Sequence, residues 1–139
     1  MTPLQISIVQ QSWKQVFRIR DQAAGLFYQR LFELDPSVRA LFTGDMTQQG
    51  RKLMDMIHVA VNGLNDLDAL IPAVQGLGQR HTRYGVTAGH YATVGAALLW
   101  TLQKGLGDGF THDIEEAWAT TYGFLASTMT YAAEVPMPL

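Results

Sequence analysis

Apolar residues in this chain recur at steps of three and four over almost its whole length, and that spacing leaves room for little except α-helices. Ile6, Val9, Trp13, Val16 and Phe17 share one stripe, because residues three or four apart lie on one face of a 3.6-residue turn. Ahead of them, Thr2-Pro3-Leu4-Gln5 combines a cap residue, a first-turn proline and a glutamine able to reach back, which predicts a helix start. A second segment, about Asp21 to Leu34, carries Ala23, Phe27, Leu31 and Leu34 on one stripe with Gly25, Tyr28 and Phe32 beside it, and Asp35-Pro36 ends it. Pro36 to Phe42 reads as a short turn of helix, and Thr43-Gly44-Asp45 as a connection. Thr47 is then the expected cap of a helix from Gln48 to Gly63, with Gln49, Leu53, Ile57 and Ala60 on one face.

Pro72 is expected in the first turn of the next helix, from Asp68 to Gly78 or His81, with a break at Tyr84-Gly85. His90 to Leu106 holds Tyr91, Val94, Leu98, Thr101 and Leu102 on one side and ends in a glycine-rich loop that lacks the strand context of a phosphate cradle. Thr111 is the expected cap of the last helix, where Asp113, Glu115 and Glu116 face the positive end of the dipole and Ile114, Trp118, Tyr122, Leu125 and Met129 continue the stripe. No sustained period-two alternation occurs, so the expected fold class is all-α with about seven helices.

At 139 residues the chain suits one domain, expected over residues 1–134 with 135–139 as a loose C-terminal tail. The net charge of -2, from scattered ions, gives no footprint for nucleic acid or an anionic membrane. The absence of cysteine removes disulfides, iron-sulfur clusters and zinc-thiolate sites. The longest apolar run, Ala96 to Trp100, is too short to span a bilayer. The expected location is therefore cytoplasmic, with no membrane partner; the oligomeric state is not legible.

Helical chains of this size include di-iron carboxylate bundles, which need Glu-x-x-His pairs. None of Glu33, Glu115, Glu116 and Glu134 precedes a histidine at that spacing. Zinc hydrolysis needs two histidines at helical spacing, and His58, His81, His90 and His112 stand too far apart. What remains is an order of markers: Trp13; Leu26-Phe27-Tyr28; Asp35-Pro36; Leu41-Phe42; Gln49 four before Leu53; His81; Val86; His90-Tyr91; and Trp118 four before Tyr122. Each taken singly has an ordinary explanation: Phe42 and Tyr28 as core aromatics, Gln49, Arg51 and Lys52 as solvated helix surface, Trp118 and Tyr122 as core. Together, over about residues 4 to 132, they resemble a globin, and most closely the globin domain of flavohaemoglobins and the related single-domain bacterial haemoglobins.

The resemblance implies a globin fold around haem b (iron protoporphyrin IX), with no reductase domain. It makes His81 the proximal iron ligand, Phe42 the ring stacked on the haem, Tyr28 and Gln49 the donors that stabilise bound gas, and Leu53 the apolar residue beside it. Tyr91 would support His81; Val86, Val94 and Leu98 would wall the porphyrin; Arg51, Lys52 and Arg80 would meet the propionates. It also implies a glutamate late in the last helix, but Ala133 stands at that position and Glu134 follows one residue later, about 100° around a helix. The implied ligands are the diatomic gases O2, NO and CO, bound reversibly with high oxygen affinity. The competing function is nitric oxide dioxygenation, with Tyr28, Gln49 and Tyr91 as the catalytic set and electrons from a separate reductase. A haem-based sensor and a peroxidase are further alternatives.

Overall fold

A computed structural model describes residues 1–134, with side chains through Tyr131; Val135 to Leu139, expected as the tail, lie outside the described residues. Six α-helices, α1 (Pro3–Phe17), α2 (Arg20–Leu34), α3 (Met46–Asn62), α4 (Leu67–Arg83), α5 (Ala88–Leu106) and α6 (His112–Glu134), are joined by short links, and a 3-10 helix, Pro36–Leu41, connects α2 to α3. These seven elements match the expected number, with two further three-residue 3-10 turns at Gly63–Asn65 and Gly107–Gly109. Among the described residues there is no strand, and no helix is long and apolar enough to cross a membrane.

The capping box forms as read: the Gln5 N–H donates to the Thr2 hydroxyl at 3.1 Å, and the Thr2 N–H donates to Gln5 Oε1 at 3.0 Å. Other boundaries shift for identifiable reasons. Asp45, not Thr47, caps α3, because its carboxylate accepts the Thr47 N–H at 2.8 Å and places negative charge at the dipole's positive end. Asp66 starts α4 before the expected Asp68, so Pro72 falls inside the helix beyond its first turn, and α4 runs past His81 to Arg83. Thr87 starts α5 ahead of His90, whose Nδ1 accepts the Thr87 N–H at 3.0 Å, an imidazole in the place of the usual Glu or Gln.

The core contains Val9, Trp13, Val16, Ala23, Phe27, Leu31, Met54, Leu102 and Trp118, from α1, α2, α3, α5 and α6. Leu34, expected on the inward stripe, is 41 % exposed, because as the last residue of α2 it sits at the edge of an open groove with Leu99, Trp100 and Phe110. Two side-chain hydrogen bonds fix α1: a buried one, in which Trp118 Nε1 donates to Ser12 Oγ at 2.9 Å, and a partly buried one, in which Trp13 Nε1 donates to His58 Nδ1 at 3.1 Å. His58 also stacks on Phe17, with centroids 4.1 Å apart, so it is a core-lining polar residue that holds α3 on α1.

Two close approaches set the helix crossings that matter for the site. A Cβ at Gly50 would stand 2.9 Å from Ala24 Cβ, so α2 and α3 nearly touch there. A Cβ at Gly78 would stand 2.6 Å from Met129 Cα, so α4 lies directly on the α6 backbone one turn before His81.

Candidate functional site

The Ala24–Gly50 crossing explains the first group of side chains. Tyr28 is one helical turn beyond Ala24 and Gln49 immediately precedes Gly50, so the crossing that only glycine permits brings phenol and amide together. Tyr28 is buried at 7 % exposure. Burial raises its pKa, and the neighbouring Gln49 side chain pulls more weakly the other way. Phe42 meets Tyr28 edge to face at 5.3 Å and Phe32 at 5.7 Å between centroids. Leu53, one turn after Gln49 on α3, is half-buried against the same core.

The second group is built on the end of α4. His81 is half-buried, and its Nδ1 lies 2.9 Å from the Leu77 carbonyl oxygen. A carbonyl can only accept, so Nδ1 carries the proton, and in the neutral ring Nε2 holds the lone pair. That arrangement orients an imidazole to bind a metal through Nε2. The His81 carbonyl in turn accepts the Val86 N–H at 3.0 Å, which ties half-buried Val86 back to the histidine. The turn needs Gly85, whose φ of 92° is in the left-handed region that side chains disfavour. Leu41 Cδ2 lies 3.6 Å from where a Gly85 Cβ would stand, so the 3-10 helix that ends just before Phe42 reaches the corner after His81.

On α5, Val94 is half-buried and Leu98 buried, both in the core cluster. The Tyr91 hydroxyl is buried with no hydrogen-bond partner among the described residues, and burial raises its pKa. The Tyr91 carbonyl accepts the Tyr122 hydroxyl at 2.6 Å. Tyr122 was expected only as core; its phenol, raised in pKa chiefly by burial and secondarily by Tyr91, is also a clamp on α5. Ala133 and Glu134 close α6, but their side chains lie outside the described residues.

The cationic candidates are all exposed. Arg51 lines a groove with Arg20, Asp21 and Asp55, a neighbourhood of mixed charge whose α2 members, Arg20 and Asp21, the sequence order does not reveal. Arg80 folds along its own helix, its Nη1 3.9 Å from a Cβ position at Gly76; Lys52 has no ion-pair partner among the described residues. Three contributors were not anticipated: the Leu77 carbonyl, Gly50, and Arg39, which donates to the Phe42 carbonyl at 2.8 Å. Leu77 was legible in principle, being one turn before His81, and Gly50 as a glycine inside a strong helix pattern.

Among the described residues no three histidines or carboxylates converge on a point that could hold a metal ion. A metal on His81 would therefore need most of its ligands from a non-protein group.

Residues 25–129 match the model of the globin family. A neuroglobin from Danio rerio is 32% identical over 137 residues, covering 88% of this chain and 86% of its own. A flavohemoprotein from Vibrio cholerae is 36% identical over 103 residues, covering 72% of this chain but only 26% of its own length. Among solved structures, a hexacoordinated haem protein from an anhydrobiotic tardigrade superposes with a TM-score of 0.88 over 97% of this chain and 96% of its own, at 17% identity.

Proposed function

Because the chain belongs to the globin family, we propose that it holds haem through His81 and binds diatomic gases reversibly, with high affinity for oxygen. The observation that carries this is the His81 ring, whose Nδ1–Leu77 hydrogen bond leaves Nε2 as the metal-binding atom. The haem, when bound as iron protoporphyrin IX, would supply an iron able to bind oxygen, nitric oxide or carbon monoxide.

The chain's own residues then divide the work. His81 gives Nε2 to the metal and keeps its orientation through Leu77. Phe42, Leu53, Val86, Val94 and Leu98 exclude water from the tetrapyrrole, and Phe42 offers it a ring face. Lys52 and Arg80 are the cations for the propionates. Tyr28, kept protonated by burial, and Gln49 are neutral donors toward the gas. Each hydrogen bond to a partly charged ligand is worth on the order of 1 kcal/mol or more, so two donors slow oxygen loss by roughly one to two orders of magnitude. Tyr91 is the hydroxyl reserved for the histidine side.

Likeness to the flavohemoprotein favours a second reading for the same pocket: nitric oxide dioxygenation, in which nitric oxide, oxygen and one electron give nitrate, with the electron from a separate reductase. Rapid mixing of nitric oxide with the oxygenated protein, followed by repeated cycles with a reductant, separates the two. Fast nitrate formation over many turnovers establishes the enzyme. Slow or single turnover removes the dioxygenase reading and leaves reversible gas binding.

A further inference from the structure

We propose that Arg39 is a positioning residue that clamps the turn carrying Phe42, so that the Phe42 ring is held in place from outside the pocket. The proposal rests on the haem-binding reading for its functional consequence and on geometry for its premise. The 3-10 helix Pro36–Leu41 is only six residues long, and such helices have poor hydrogen-bond geometry and unpaired carbonyls at the C-terminal end. Its start is fixed by Asp35, whose carboxylate accepts the Ser37 N–H at 3.1 Å, and its middle by buried Val38. Its end has one backbone hydrogen bond, Phe42 N–H to the Arg39 carbonyl at 3.1 Å.

Arg39 closes that end a second time. Its Nη1 donates to the Phe42 carbonyl at 2.8 Å, a charge-assisted bond at the negative end of the helix. The same guanidinium lies over the Phe32 ring at 5.5 Å. Phe32 is edge to face with Phe42, and Phe42 with Tyr28. One planar cation thus grips both the backbone that carries Phe42 and the ring that backs it. Beyond Phe42 the chain enters the exposed link at Thr43 and Gly44, where a Cβ on Gly44 would meet nothing, so no packing there could substitute for the clamp. A lysine could supply the charge but not the planar fork that donates and stacks together.

The test compares wild type, R39Q, R39K, F42L and R39Q/F42L. In apoproteins, amide hydrogen exchange over residues 40–46 is expected to quicken in R39Q and R39K while helix content is unchanged. In haem-loaded proteins, transfer of haem to an acceptor globin is expected to speed by roughly three- to tenfold in R39Q and R39K, the effect of losing one charge-assisted hydrogen bond. In the F42L background R39Q should add little, because the clamp acts through the Phe42 ring. Unchanged exchange in apo R39Q overturns the clamp whatever the haem result. Full rescue by R39K, or additive effects with F42L, overturns it in favour of simple attraction between a cation and the propionates. If wild type takes up no haem while R39Q still loosens residues 40–46, the clamp stands and the haem-binding reading fails.

Discussion

Tyr28 stays protonated because burial raises its pKa by more than Gln49 lowers it, and a neutral phenol can donate to a ligand that an ionised one would repel. Tyr28→Phe removes that donor and keeps the ring against Phe42. Oxygen release is expected to quicken roughly tenfold, the equivalent of about 1.4 kcal/mol, whereas carbon monoxide, which carries less charge, is released at nearly the wild-type rate. Flash-photolysis and stopped-flow rates for both gases check this, and equal acceleration of the two would remove Tyr28 from the gas-stabilising role. The tyrosines also make an alkaline prediction. Tyr28, Tyr91 and Tyr122 all have folded pKa values above the ordinary phenol value, so the unfolded chain ionises first, near pH 10. Their stabilisation is present below that pH and is lost as pH rises above it. Urea midpoints of the apoprotein should be flat from pH 8 to about 9.5 and fall above about 10, less steeply in Tyr122→Phe. An equally steep fall in Tyr122→Phe would show that the Tyr122 phenol does not contribute.

At the scale of helices, the site depends on close crossings more than on individual contacts. Gly78→Ala places a methyl 2.6 Å from Met129 Cα, and backbone cannot yield as a side chain can, so a loss of about 1–3 kcal/mol in apoprotein stability is expected. It should be accompanied by faster haem loss, since α4 carries His81 one turn later. A variant as stable as wild type would mean that α4 and α6 have room to separate. Ser12→Ala leaves the buried Trp118 indole N–H without its acceptor and is expected to cost about 1–3 kcal/mol, measured by urea unfolding, without altering gas release. The helices themselves were legible, because period, caps and breakers are local. Their ends were less so: Asp45 outcompetes Thr47 as a cap because a carboxylate suits the dipole better, and the exposure of Leu34 depends on what lies across a groove in a distant part of the chain.

Across the whole molecule, the order of markers from Trp13 to Tyr122 specified both the globin fold and the residues to look for. The structure shows how two of its groups are assembled: Tyr28, Gln49 and Phe42 around the α2–α3 crossing, and His81 with Val86 around the Gly85 corner. What the order did not contain was the partner of each group. The Tyr122 clamp and the Arg39 grip are contacts to backbone oxygens, which leave no trace in residue identity, and the Leu77 carbonyl is foreseeable only from helical spacing, one turn before His81. Of the aspartates beside Arg51, Asp55 is legible four residues on along the same helix, whereas Asp21 is not, because it belongs to another helix.

In the proposed site one imidazole, His81, oriented by the Leu77 carbonyl, holds the haem. Titration of apoprotein with haem, followed by the Soret band and repeated in His81→Ala with and without added imidazole, tests it most directly. A sharp one-to-one endpoint is expected in wild type, with loss of that spectrum in His81→Ala and its recovery when imidazole occupies the vacated position. A His81→Ala protein that binds haem with the wild-type spectrum and no added imidazole would contradict it.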